Sequence, residues 1–252
     1  MTLDGKTFVV VGAGLLGNTI VKGILEQGGN VAIVDYKESA LKELQSLSEE
    51  RLIARTGDIT STESVEHIIL AAVERFGAVD GAVNTAYPRN PNYGRSFFDV
   101  TYEDFCENVS SHMGGYFLFM QQCAKYAIDQ DIEFSLVNMS SIYGVIAPRF
   151  EIYTNTSMTM PVEYAAIKSG LQHLTAYLTA YSKGSKFRVN CVSPGGILAG
   201  QDPAFLDQYN RHTRYKGMLD ATDIVGAVVF LLSDASKYIC GQNIIVDDGF
   251  CI

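Results

Sequence analysis

Three short constellations carry side chains able to do chemistry. The first is Tyr164-Ala-Ala-Ile-Lys168. On a helix, positions i and i+4 share a face, so a phenol and an ammonium would meet at one site. A cation beside a phenol favours phenolate and draws its pKa below about 10, which makes Tyr164 a general acid/base candidate near neutral pH. The bland reading of the same pattern is an amphipathic helix face with a snorkelling lysine. The second is Val9-Val-Val-Gly-Ala-Gly-Leu-Leu-Gly17, where a β-branched run enters a GxGxxG turn and passes straight into a helical period. Gly12 would make the tight turn, Gly14 would let a pyrophosphate approach backbone, and Gly17 would allow close helix–strand packing. The free N–H groups of the helix N-terminus, at Leu15 and Leu16, would face the anion. Asp35, followed by Tyr36, closes the next apolar run. A carboxylate there can accept both ribose hydroxyls of NAD and would repel the extra phosphate of NADP. The third is Asn138-Met-Ser-Ser-Ile-Tyr-Gly144, where Ser140 and Ser141 leave an apolar run; either serine could equally cap a turn. Asn84-Thr-Ala and Asn190-Cys-Val-Ser-Pro-Gly195 are, taken singly, ordinary turns.

These residues need elements to position them. Strand candidates lie at 7–11, 31–35, 52–56, 81–84, 135–139, 188–192 and 244–246, and most are nearly continuous apolar runs, as for strands covered on both faces. Helical periods lie between them, at 15–27, 62–76, from Thr101 onward, 161–181 and 222–232. Gly28-Gly29 would stop the first helix, and Ser61 and Gly77 would bracket the second. Asp104 stands three residues after Thr101, as in a shortened capping box. Strands alternating with helices need crossovers, so the expected fold is α/β: a doubly wound parallel sheet of about seven strands with helices on both faces, one domain over 1–252. Residues 87–96, 145–160 and 195–209 are aromatic, polar and irregular, and would emerge at the carboxyl ends of strands, where ligands bind in open α/β sheets.

Composition narrows the function classes. The 252 residues carry 19 basic and 28 acidic side chains, a net charge of −9, which argues against a nucleic-acid partner. No apolar run approaches the ~20 residues of a membrane span, and the first residues lack a secretory leader. A cytoplasmic protein is the expectation. The cysteines (Cys106, Cys123, Cys191, Cys240 and Cys251) are scattered and never CxxC, so they read as small buried hydrophobes in a reducing compartment. His67, His112, His173 and His212 show no ligand spacing, and no metal is expected.

The order of these signals resembles the short-chain dehydrogenase/reductase family over residues 6–250: glycine turn, acidic strand end, Gly57-Asp58-Ile59, Asn84-Thr-Ala, Ser141, YxxxK, Pro194-Gly195 and Gly241-Gln-Asn-Ile-Ile-Val-Asp-Asp-Gly249. The resemblance implies that Tyr164 transfers a proton, that Lys168 lowers its pKa and holds the nicotinamide ribose, and that Ser141 orients the substrate oxygen. It also implies dinucleotide contacts at Asp58 and Ile59 near the adenine, at Asn84 and Ala86 after the fourth strand, and along Pro194, Gly195 and Ile197 over the nicotinamide. Three departures stand out. The glycine turn is one residue shorter than the family's usual TGxxxGxG. Tyr87 stands where the family has a glycine beside the substrate. His112 stands where the family's relay has an asparagine, either to hold a water chain to Lys168, to titrate itself, or simply to pack in the core.

Segment 145–160 lengthens the usual spacing between Ser141 and Tyr164 and is expected to form part of the substrate pocket, with Tyr153 as a lining residue beside Tyr87. Arg149, with Arg89 and Arg95, could receive a carboxylate or phosphate. The segments around Asn84, Ser141 and Ser193 also resemble a narrower branch, bacterial oxidoreductases of flagellin modification and surface-polysaccharide sugar biosynthesis. That likeness implies an amino- or deoxy-sugar substrate, with an anionic form (phosphorylated or nucleotide-linked) among the alternatives, on a route to nonulosonic acids. The expected function is therefore an NAD(H)-dependent interconversion of a secondary alcohol and a ketone, in a homo-oligomer (dimer or tetramer). One rival is a lipid or acyl-chain ketone reductase, whose pocket should be mainly apolar, whereas the long loops here are rich in hydroxyls and amides. The other is a non-catalytic dinucleotide sensor.

Overall fold

The computed structural model describes residues 2–44, 47, 48 and 50–252. The chain runs β1 (Thr7–Val11), α1 (Leu15–Glu26), β2 (Asn30–Asp35), a single turn α2 (Glu38–Leu41), β3 (Leu52–Thr56), α3 (Thr62–Phe76) and β4 (Gly81–Asn84). It continues through α4 (Tyr102–Asn108), α5 (Gly114–Asp129), β5 (Phe134–Met139), α6 (Val162–Tyr181), β6 (Phe187–Pro194), α7 (Pro203–Asn210), α8 (Val225–Leu232) and β7 (Asn243–Val246). All seven strands are parallel in one sheet, ordered β3-β2-β1-β4-β5-β6-β7. The winding direction reverses between β1 and β4, and a crevice must open there at the strands' carboxyl ends.

The continuous apolar runs of the inner strands are explained by burial on both faces, whereas the edge strands β3 and β7 are only partly covered, contrary to expectation. Val9, Val11, Ala32 and Val34 join Ile68, Phe119 and Leu171 in one layer, while Phe8, Val10, Val31 and Ile33 join Ile20, Ile24 and Val228 in the other. Adjacent residues thus alternate sides, as a pleated strand requires. Both expected N-caps form: the Ser61 hydroxyl accepts the Ser64 N–H at 3.2 Å and the Thr101 hydroxyl accepts the Asp104 N–H at 3.1 Å. Gly77, at φ +93°, ends α3.

Some expectations need correction. Segment 195–209 is not wholly irregular, because Asp202 caps α7, accepting the Ala204 N–H at 2.7 Å, and Pro203 opens it. An Asp-Pro start is a helix signal in its own right. The helix expected over 222–232 begins as a 3-10 turn, Ala221–Ile224. Only Cys123 and Cys191 are buried; Cys106 is exposed and Cys240 and Cys251 are half-buried. Segment 87–96 lacks regular structure yet is clamped to α4. Asn108 Oδ1 accepts the Asn90 N–H at 2.9 Å, and Asp104 accepts from the amides of Asn90 and Asn92 and pairs with Arg95.

Candidate active site

The glycine turn forms the floor of the crevice. Gly12 has φ +93°, and a Cβ there would meet the Ala86 backbone nitrogen at 2.9 Å; a Cβ on Gly17 would lie 1.8 Å from the Gly12 carbonyl oxygen. Only glycine lets β1, β4 and α1 close together in this way. At Gly14 the situation is opposite: a Cβ would meet nothing within 4 Å, and no side chain caps α1. The first amides of α1, at Leu15 and Leu16, therefore face open space, which is a ready anion cradle. Asp35 is fixed beside this turn, its Oδ2 accepting the Ala13 N–H and its Oδ1 the Lys37 N–H, both at 2.8 Å. Tyr36 is exposed next to it. At the end of β3, Asp58 accepts from the Thr60 N–H and hydroxyl at 2.8 Å each, and Ile59 is buried. Asn84 is buried, its Oδ1 accepting the Ala86 N–H at 3.1 Å. Pro194, Gly195 and Ile197 line the opposite rim. Free helix amides for a pyrophosphate and a carboxylate for a ribose are the groups a dinucleotide needs, so the residues fit one.

Ser141, Tyr164 and Lys168 come together where β5 meets α6. The Ser140 hydroxyl donates to the Lys168 carbonyl at 2.9 Å, Lys168 Nζ donates to the Met139 carbonyl at 2.8 Å, and Gln172 Nε2 donates to Ser140 Oγ at 3.1 Å. These contacts bring the strand end alongside the i, i+4 face of the helix. Lys168 Nζ lies 5.6 Å from the Tyr164 ring centroid and 5.2 Å from that of Tyr116. Ser141 accepts the Tyr143 N–H at 3.2 Å, and its hydroxyl lies near enough to the Tyr164 phenol to favour its ionised form.

The electrostatics reverse one expectation. Burial pushes the Tyr164 phenol above its ordinary pKa; the Ser141 hydroxyl opposes this, and Tyr87 and Tyr153 add to it. Burial pushes Lys168 itself down to about 7, so it is only partly charged at neutral pH and does little to offset the rise in the phenol. Desolvation outweighs pairing. His112 lies in a π turn (Val109–Met113) between α4 and α5. It is fully buried between the rings of Tyr87 and Tyr116, 5.2 and 5.4 Å away, and neither ring nitrogen has a partner among the described residues. Burial, then the Lys168 charge, holds its pKa well below 6.5, so it is neutral near pH 7.

A cavity of about 480 Å³ runs from Gly14 past Tyr164 to a far wall. That wall is aromatic and apolar, where a hydroxyl- and amide-rich one was expected. It is formed by Tyr143, Tyr153, Phe205, Tyr209, Met158 and Met218, with the Tyr153 hydroxyl bonded to that of Tyr143 at 3.2 Å. Asn90, Asn92 and Arg95 bind α4 instead, and only Tyr87 from segment 87–96 reaches the cavity, its ring 5.6 Å from Tyr164 and edge-on. None of the three arginines lines the cavity. Arg89 is exposed over the Tyr87 ring at 4.9 Å, Arg95 pairs with Asp104, and Arg149 turns away to donate to the Phe250 carbonyl at 3.3 Å. Among the lining residues that sequence reasoning missed, Phe205 and Tyr209 form an i, i+4 aromatic pair on α7, visible once the Asp202-Pro203 start is taken as a helix.

Known proteins are similar to this chain over nearly its whole length. The enoyl-(acyl carrier protein) reductase family model matches residues 13–251. The chain is 40% identical to Campylobacter coli post-translational flagellin modification protein A, covering 98% of this chain and 99% of that protein. It is 28% identical to a Bacteroides fragilis 7alpha-hydroxysteroid dehydrogenase, covering 99% of this chain and 95% of that protein. A crystal structure of a short-chain dehydrogenase from Leptospira borgpetersenii with bound NAD+ superposes with a TM-score of 0.86 at 31% identity, covering 100% of this chain and 94% of that one. With its ordered motifs, its seven-stranded parallel sheet and these relatives, the chain belongs to the short-chain dehydrogenase/reductase family of oxidoreductases.

Proposed function

We propose that the protein interconverts a secondary alcohol and a ketone with NAD(H), on an amino- or deoxy-sugar destined for a surface glycan. The observation that carries the reading is one continuous cavity joining the open amides of α1 to Ser141, Tyr164 and Lys168. When bound, the nicotinamide supplies the hydride acceptor or donor. The chain's own residues handle the oxygen. Ser141 holds it by a hydrogen bond, and Tyr164 delivers or removes its proton. The neutral phenol favoured by burial is the competent proton donor for reducing a ketone. Lys168, lying against that phenol ring, would hold the nicotinamide ribose. Asp35 supports NAD over NADP, since its carboxylate is already fixed beside the glycine turn and would repel a ribose phosphate.

The sugar reading draws on the flagellin-modification relative. An apolar wall favours a second reading, a hydrophobic ketone such as a steroid or acyl chain, as the name of the steroid dehydrogenase suggests. The chain is proposed to work as a homo-oligomer through the groove between α5 and α6, where Phe117, Tyr177 and Tyr181 are exposed. A cytoplasmic site of action is part of the proposal; among the described residues no helix is long and apolar enough to cross a membrane.

The test is a panel of sugars and of steroid and acyl ketones, assayed with NAD+ and NADH, on wild type and Tyr164→Phe. The expected outcome is turnover of a sugar that falls by about 100-fold or more in the variant, with dinucleotide affinity unchanged. Activity confined to steroids or acyl ketones would establish the second reading. Tight dinucleotide binding without turnover of any panel member would favour a sensor.

A further inference from the structure

We infer that Tyr209 is a positioning residue that ties the dinucleotide rim of the crevice to the wall of the substrate pocket; this rests on the cofactor reading above. The rim, residues 194–197, is held at few points. The Gly195 N–H donates to the Val246 carbonyl, the Leu219 N–H donates to the Gly196 carbonyl, and Gln201 Nε2 donates to the Ile197 carbonyl, each at 2.8 Å. The Gly196 N–H donates instead to the Tyr209 hydroxyl, at 2.6 Å. That bond joins the rim to α7, an element that otherwise belongs to the far wall.

Tyr209 is itself held hard. Its ring stacks face-on to Phe250, with centroids 4.4 Å apart and planes at 18°. Phe250 is fully buried, and Arg149 clasps it twice, donating to its carbonyl at 3.3 Å and covering its ring at 5.3 Å. It also meets, near a right angle, the ring of Tyr143 at 6.4 Å, two residues beyond Ser141. A line of contacts thus runs from the Gly196 amide through Tyr209 and Phe250 to Tyr143 and the 145–160 segment. It has no slack at the rim. A Cβ on Gly195 would lie 2.9 Å from the Tyr209 hydroxyl, and one on Gly196 would lie 3.0 Å from the Tyr209 ring. Tightly packed contacts of this kind transmit displacement rather than absorb it. The position of the rim is therefore set by a phenol that also lines the substrate pocket.

The test removes one atom. Tyr209→Phe keeps the ring and its stacking but deletes the acceptor of the Gly196 N–H. NADH binding is followed by the fluorescence of the nicotinamide, and deuterium uptake is measured for a peptide spanning residues 194–198 without dinucleotide. The expected result is a rise of about five- to tenfold in the NADH Kd, as for loss of one partly buried hydrogen bond. Faster exchange at the rim, a smaller fluorescence enhancement and a melting temperature lower by a few degrees should accompany it. Phe250→Leu, which keeps the hydroxyl but loses the stacking face, should shift the Kd in the same direction by a smaller factor. Wild-type protein that binds NADH, with Tyr209→Phe binding it within twofold and exchanging no faster, overturns the inference and leaves the cofactor reading standing. A lower melting temperature with unchanged Kd also overturns it, since it marks a purely structural role. Wild-type protein that binds neither NADH nor NADPH overturns both readings.

Discussion

Replacing Lys168 by methionine should stabilise the protein at neutral pH while disabling it. The lysine is 5% exposed, and burial lowers its pKa from 10.5 to about 7. By linkage this difference is a penalty on folding of about 4 kcal/mol at pH 7. The sign follows from proton counts. Between about pH 7 and 10.5 the unfolded chain holds a proton that the folded chain has released, so stability rises with pH through that window. Below about 7 both forms are protonated and the whole penalty remains, whereas above 10.5 it vanishes. Methionine removes the charge at similar volume but forfeits the hydrogen bond to the Met139 carbonyl and the contacts with the Tyr116 and Tyr164 rings, together roughly 2 kcal/mol. The net expectation is a Lys168→Met variant more stable than wild type by about 2 kcal/mol at pH 7, with the advantage gone near pH 9. Urea unfolding of both proteins at a series of pH values from 6.5 to 9.5 measures it. A variant less stable than wild type at pH 7, or a difference that does not change with pH, would show that the ammonium is well solvated or paired and would refute the desolvation argument. Such a gain in stability at the expense of activity is the mark of a group retained for chemistry.

Two further perturbations probe the cofactor end. Asp35→Ser removes the carboxylate that accepts the Ala13 N–H and should move the ratio of NADPH to NADH affinity toward NADPH by about tenfold or more, since a single like-charge contact is lifted; fluorescence titration with each dinucleotide reads it, and an unchanged ratio would remove Asp35 from cofactor choice. Gly17→Ala forces a Cβ to within 1.8 Å of the Gly12 carbonyl oxygen, so α1 must shift off the turn, at a cost of about 1–3 kcal/mol and with loss of dinucleotide binding. A variant within about 0.5 kcal/mol of wild type that binds NADH normally would mean that the turn is looser than it looks.

Local spacing and solvent partition are written in sequence, and those parts of the protein were legible there. Apolar runs buried on two faces marked the five inner strands, while the edge strands β3 and β7 are only partly buried; Ser61 and Thr101 marked helix starts, and the GxGxxG turn marked the crevice floor. The four-residue spacing of Tyr164 and Lys168 fixed their shared face, because each feature depends on neighbours within a few residues. What lies above and beneath a side chain was not legible. Lys168 titrates low because distant segments exclude water from it. Arg149 meets Phe250, a contact across 101 residues, so a guanidinium that looked available for an anion is committed to packing. Asn90, Asn92 and Arg95 are tied to α4, and Tyr209 reaches Gly196 only because α7 packs beside the 194–197 rim. Desolvation and choice of partner are decided by which remote surfaces pack together, and spacing along the chain carries no record of that.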